Sequence, residues 1–68
     1  MSMVANDAEL ILKTLSPDRR YKRKEVEQAC GLPYARTLRA LTRLLSQSKV
    51  ERVQLGDSIR SPYEWFLA

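Results

Sequence analysis

KEVEQACGLPYARTLRALTRLLSQ, residues 24–47, is the stretch whose reading decides the fold. Lys24 to Cys30 sets Val26, Ala29 and Cys30 at i, i+3 and i+4, which predicts a short helix with one apolar side. Gly31 supplies the left-handed residue that commonly closes a helix. Pro33 suits the first helical position of the next, where its missing N–H would have no partner. Only Gly31, Leu32 and Pro33 separate the two helices. A Gly-containing turn of this length sets two helices at the steep angle of a helix-turn-helix.

The helix that follows is expected from about Pro33 to Gln47. At about 100° per residue, Tyr34, Leu38, Leu41 and Leu45 fall in one narrow stripe suited to a core. Arg36, Arg39 and Arg43 fall opposite, with Ala40 and Gln47 among them and no acid. Leucines behind and arginines in front make a helix that a scaffold can hold and offer to a groove. Arginine pairs bidentately with a guanine edge or a phosphate, and Ala40 leaves room for close approach. A plain amphipathic surface helix would mix both signs on its exposed side. The groove-facing candidates are therefore Arg36, Arg39, Ala40 and Arg43.

Upstream, Asn6-Asp7-Ala8-Glu9 has the form of a capping box and predicts a helix start there. Val4, Ala8, Ile11, Leu12 and Leu15 recur on one helical face until Ser16-Pro17 ends the run, while Leu10 falls off it. Pro17 to Arg20 is a polar turn, and Tyr21-Lys22 reads as a stub of strand. Downstream the periodicity becomes extended. Val50 to Leu55 and Tyr63 to Leu67 flank the turn cluster Gly56-Asp57-Ser58, which predicts a β-hairpin. Tyr63, Trp65 and Leu67 alternate with Glu64 and Phe66, so one face should pack on the helices, and Trp65 reads as core rather than as a base-stacking platform. The loop from about Gln54 to Pro62 is longer than a minimal hairpin needs. Its Arg60 is either a contact to a minor groove or phosphate, or a plain exposed loop residue.

The charges separate along the chain. Residues 1–18 carry Lys13 against Asp7, Glu9 and Asp18, a net of −2; residues 44–68 balance. Residues 19–43 hold eight bases against Glu25 and Glu27, so the overall +4 is the remainder of a segment at +6. Such a concentration is either a solvated charged face or the footprint of a nucleic-acid binder. The 68 residues allow one domain, spanning 1–68. The single Cys30 cannot form an intramolecular disulfide and reads as a small buried hydrophobe, and without histidine there is neither a zinc set nor the usual general base. Glu25 and Glu27, two apart, point to different sides of a helix and make a poor carboxylate dyad. No enzyme activity, cofactor, metal or small-molecule ligand is expected, and no apolar run reaches membrane-span length, so the chain reads as cytoplasmic.

Three helices, a helix-turn-helix between the second and third, and a closing hairpin make a mainly α winged helix-turn-helix. From the first-helix Ile11-Leu12-Lys13-Thr14-Leu15 through Glu25-Val26 to Tyr63-Glu64-Trp65-Phe66-Leu67, nearly the whole chain resembles the small bacterial fimbrial operon regulators of the PapI and FaeA type. The resemblance implies a transcription regulator that binds double-stranded DNA with its third helix in the major groove. It also implies work alongside the leucine-responsive regulatory protein at sites where adenine methylation matters. Arg23 stands where that family tends to have a hydroxyl residue, and Ser48-Lys49 where it often has glycine before the first wing strand.

The start of the second helix therefore lacks an obvious cap, while Lys22, Arg23 and Lys24 crowd there against the helix dipole. A DNA phosphate at that terminus would compensate, taking both backbone donors and basic side chains. Lys22, Arg23, Lys24 and Arg60 are accordingly the phosphate-contact candidates. Two other functions fit the same charges. A protein-interaction adaptor would expose an apolar patch on the first helix or the wing, around Leu10 or Phe66, with its arginine face neutralised by acids. An RNA binder would read shape instead of base edges.

Overall fold

The computed structural model describes residues 3–68, with side chains from Ala5 onward, so the side chain of Val4 lies outside it. The first helix, α1 (Met3–Thr14), runs straight through Asn6–Glu9. That segment is therefore helix interior and not a start. Its carboxylate is used elsewhere: Asp7 is buried and accepts two hydrogen bonds from Arg36, at 3.0 Å from Nε and 2.7 Å from a terminal guanidinium nitrogen. Ala8, Ile11 and Leu15 are buried as the stripe predicts.

After the polar turn come β1 (Tyr21–Lys22), the predicted stub, and α2 (Arg23–Cys30). Tyr21 is buried, and its hydroxyl accepts the Ser16 backbone N–H at 2.8 Å. Gly31 closes α2 at φ 68°, with the Leu32 N–H donating back to the Glu27 carbonyl at 3.1 Å, as a left-handed terminator should. Pro33 is the N-cap of α3 (Tyr34–Ser46), one residue outside the helix. Cys30 is half-buried against the core, and burial pushes its thiol up, opposed by a hydrogen bond with Thr14.

The third helix is turned relative to the leucine stripe. Its buried residues are Thr37, Ala40, Leu41 and Leu44, a face rotated by roughly 80° from one centred on Tyr34, Leu38, Leu41 and Leu45. Tyr34 is exposed, and Leu38 and Leu45 are half-buried. Small side chains cause the rotation. Ala40 is fully buried, and Thr37 is too, its hydroxyl 3.4 Å from the Leu32 carbonyl, so α3 approaches the rest of the core through residues that a hydrophobicity pattern undervalues. The Asp7–Arg36 fork fixes the same orientation from the α1 side.

β2 (Val50–Gln54) and β3 (Tyr63–Leu67) form the expected hairpin, and β1 adds to its free side, giving an antiparallel sheet in the order β1-β3-β2. Register places Tyr21, Trp65 and Arg52 in one cross-strand row, with Val50 opposite Leu67 and Gln54 opposite Tyr63. Trp65 is buried, and Tyr63 and Leu67 pack against the core beside it. The result is a mixed fold of three helices on a three-stranded sheet, in which no described helix is long and apolar enough to cross a membrane.

The link from α3 to β2 settles the geometry that Ser48-Lys49 leaves open. Ser48 takes φ 59°, its N–H donating to the Leu45 carbonyl at 3.1 Å, while the Lys49 N–H reaches Leu44 at 2.9 Å. These bonds form the terminator that glycine usually supplies, here made by a residue with a Cβ penalty. Ser48→Gly should therefore stabilise the fold by about 0.5–1 kcal/mol, seen as a melting temperature a few degrees higher. An unchanged or lower value would show that Ser48 carries no strain.

Candidate nucleic-acid interface

All eight bases between residues 19 and 43 lie outside the core, and the fold sorts them by what they touch. At the start of α2, the N-cap Lys22 has no acceptor in its side chain. Glu25 instead accepts the Lys22 backbone N–H at 2.9 Å and pairs with Arg19 at 3.1 Å. Glu27 sits 2.9 Å from Arg23 Nε, out of line for a hydrogen bond, so the contact is Coulombic. Two acids of the helix itself thus offset the bases at a terminus for which the sequence suggested an external phosphate.

Lys22 and Lys24 remain without a carboxylate partner among the described residues. They border an open cleft of about 530 Å³ between the start of α2, one flank of α3 and the hairpin. Arg23, Arg52 and Arg60 complete its basic rim, while Tyr34, Leu38, Tyr63 and Trp65 form its floor, and no acid lines it. All four phosphate-contact candidates, Lys22, Arg23, Lys24 and Arg60, meet here although up to 38 residues separate them in sequence.

Two members were not singled out from the sequence. Arg52 lies opposite Trp65 in the sheet, with its guanidinium 4.3 Å from the Tyr63 ring centre and 5.6 Å from that of Trp65. Tyr34 carries the Arg23 guanidinium at 4.3 Å. The period-two pattern of Val50, Arg52 and Gln54 puts these three on one face, and the register makes it the aromatic one. Stacking on a ring leaves the edge of a guanidinium, where its donors are, open to an anion.

The groove-facing set divides. Arg39 and Arg43 are exposed and unpaired among the described residues, on a face of α3 shared with Ala35, Thr42 and Ser46. Arg43 borders α1, beside Glu9 and Lys49, rather than the basic cleft. Ala40 is fully buried and touches no groove, a correction that follows from the rotation of α3. Arg36 is held by Asp7, which favours its charged form through hydrogen bonding and raises its pKa, so its first role is structural. Among the described residues, no three His, Cys, Asp or Glu side chains gather as a metal would require.

Leu10 is exposed on α1, and Phe66 is half-buried beneath the Arg20 guanidinium at 4.9 Å. No known family model matches the chain, and neither does any curated protein or solved structure.

The Asp7–Arg36 pair predicts an asymmetry. Arg36→Ala leaves a buried carboxylate without its partner and should lower the melting temperature by about 5 °C or more, whereas Asp7→Asn, which frees a half-exposed arginine to water, should cost less. Equal losses from the two, read by circular-dichroism melts, would contradict this.

Proposed function

We propose that the chain is a winged helix-turn-helix module that binds double-stranded DNA and regulates transcription in the cytoplasm. The observation that carries this reading is the cleft beside α3, rimmed by five bases and lined by no acid. A surface of one sign, built around a helix offered to solvent, is what a phosphate backbone requires. In this reading α3 enters the major groove through Arg39, with Thr42, Ser46 and Arg43 near it, and the cleft seats one backbone strand. The likeness of motifs and element order to the PapI and FaeA regulators extends the proposal to a fimbrial operon, with the leucine-responsive regulatory protein as companion.

An adaptor needs its arginine face neutralised, and of the α3 arginines only Arg36 is paired among the described residues. That observation favours a nucleic-acid partner over a protein. RNA is separated by experiment: duplex DNA and duplex RNA compete at matched salt, and the proposal expects DNA to win because helix three fits only the wider major groove.

The direct test is anisotropy of a labelled duplex, the upstream DNA of the chain's own gene against random sequence, over a salt series. Contacts to about four phosphates predict a slope of log K on log salt near −3.6. Lys24→Ala and Arg60→Ala should each flatten that slope by about one and weaken all sequences alike. Arg39→Ala should instead narrow the gap between specific and random duplex, by about 1–3 kcal/mol. A salt-independent response with no sequence preference would overturn the reading.

A further inference from the structure

Among the described residues, the large apolar side chain most exposed to solvent is Ile59, at 94%. An aliphatic side chain on a loose loop would need no explanation. This one is mounted on a built turn. The Ser61 N–H donates to the Ser58 carbonyl at 2.9 Å, closing a four-residue turn with Ile59 and Arg60 at its two central positions. Ser61 Oγ accepts the Ser58 N–H, and Ser58 Oγ accepts the Arg60 N–H, both at 3.2 Å. From the end of β2, the Gln54 amide donates to the carbonyls of Ser58 and Ser61 at 2.6 and 3.3 Å, and below it the Leu55 N–H reaches Pro62 at 2.9 Å. Closure is tight enough that a Cβ at Gly56 would lie 2.5 Å from Ser61 Oγ.

Side chain and backbone donors in this loop are thus spent on holding the two central residues out. One is apolar and the other is a cation that borders the basic cleft. A phosphate backbone offers an apolar tip nothing to bind. The apolar surface of a duplex is the interior of a base step, and side chains such as isoleucine are the wedges that proteins insert there from the minor groove, kinking the helix.

We propose that Ile59 is such a wedge: it enters a base step from the minor groove while Arg60 holds the adjoining backbone, so that bound DNA is kinked under the hairpin. This rests on the duplex-binding reading above and adds to it a deformation of the DNA. It gives a small module a source of sequence preference beyond its direct contacts, because steps that unstack readily accept the wedge best.

The test uses the full chain, a short duplex with donor and acceptor dyes at its ends, and the variant Ile59→Ser. Because Ile59 is exposed, the variant should melt with the parent. The parent should raise energy transfer between the dyes and bind a duplex with one central mismatch about tenfold tighter than its matched counterpart, since the mismatched step is already easier to open. Ile59→Ser should keep the salt slope and lose both the bend and the mismatch preference. Equal bending by the two proteins, or tight binding by the parent without bending, overturns the wedge and leaves duplex binding standing. Ile59-dependent capture on phosphatidylserine vesicles without any bending also overturns it, in favour of a lipid surface. No binding of either protein to any duplex at low salt overturns the wedge and the function it rests on together.

Discussion

The bidentate pair between Asp7 and Arg36 is the contact that ties the orientation of α3, and so of the charges it carries, to α1. It joins α1 to α3 across 29 residues, one partner buried and the other reaching from a half-exposed position. A fork of this kind has directional demands that an apolar contact lacks. With Arg36 drawn toward α1, Ala40 turns into the core and Arg39 turns out. The same rotation carries Leu38 and Tyr34 out to the flank of α3, where they become part of the floor of the basic cleft instead of the centre of the core.

A small domain that gathers positive charge must keep its cations apart from each other without cancelling them. Acids supply part of the answer: Glu25 and Glu27 serve the start of α2, where three bases oppose the helix dipole. Aromatic rings supply the rest. Arg19 stacks over Tyr21, Arg20 over Phe66, Arg23 over Tyr34 and Arg52 over Tyr63, at 4.3 to 4.9 Å. A ring attracts a guanidinium by its quadrupole and leaves the net charge in place, which an ion pair does not; Arg20 and Arg52 are held by rings alone, while Arg19 and Arg23 also pair with Glu25 and Glu27. The charge is held in position and remains available to a partner.

What was legible in the sequence follows from which signals are local. The break at Gly31, the hairpin and even the two-residue β1 could be read because turn chemistry and alternation act over a few residues. So could most of the basic rim of the cleft, since Lys22, Arg23 and Lys24 are contiguous and Arg60 lies in the one long loop. The rotation of α3 could not. It depends on a partner 29 residues away and on Thr37 and Ala40, whose burial reflects close helix approach and not hydrophobicity. Asn6-Asp7-Ala8-Glu9 misled for a related reason: a segment whose local pattern reads as a capping box is helix interior, and its Asp7 is satisfied by tertiary structure. Arg52 was hidden because its aromatic partners are on the next strand, and only the register brings them together.

The connection from α3 to β2 then determines how these parts act on a partner. Only Gln47, Ser48 and Lys49 separate the helix from the strand, and hydrogen bonds hold the link at both ends: Lys49 N–H to Leu44, and Ala68 N–H to the Lys49 carbonyl. Trp65, buried at the centre of β3, anchors the hairpin to the same core that receives Leu41 and Leu44. Helix and hairpin are therefore braced against each other across the cleft. This bracing carries two consequences. The cleft's Arg23 and Arg52, already held on aromatic rings, need not be ordered on binding, which spares the entropy that free basic side chains would lose. It also requires the partner to adapt, so a polyanion that fits both the exposed face of α3 and the hairpin at once must take the shape that the protein presents.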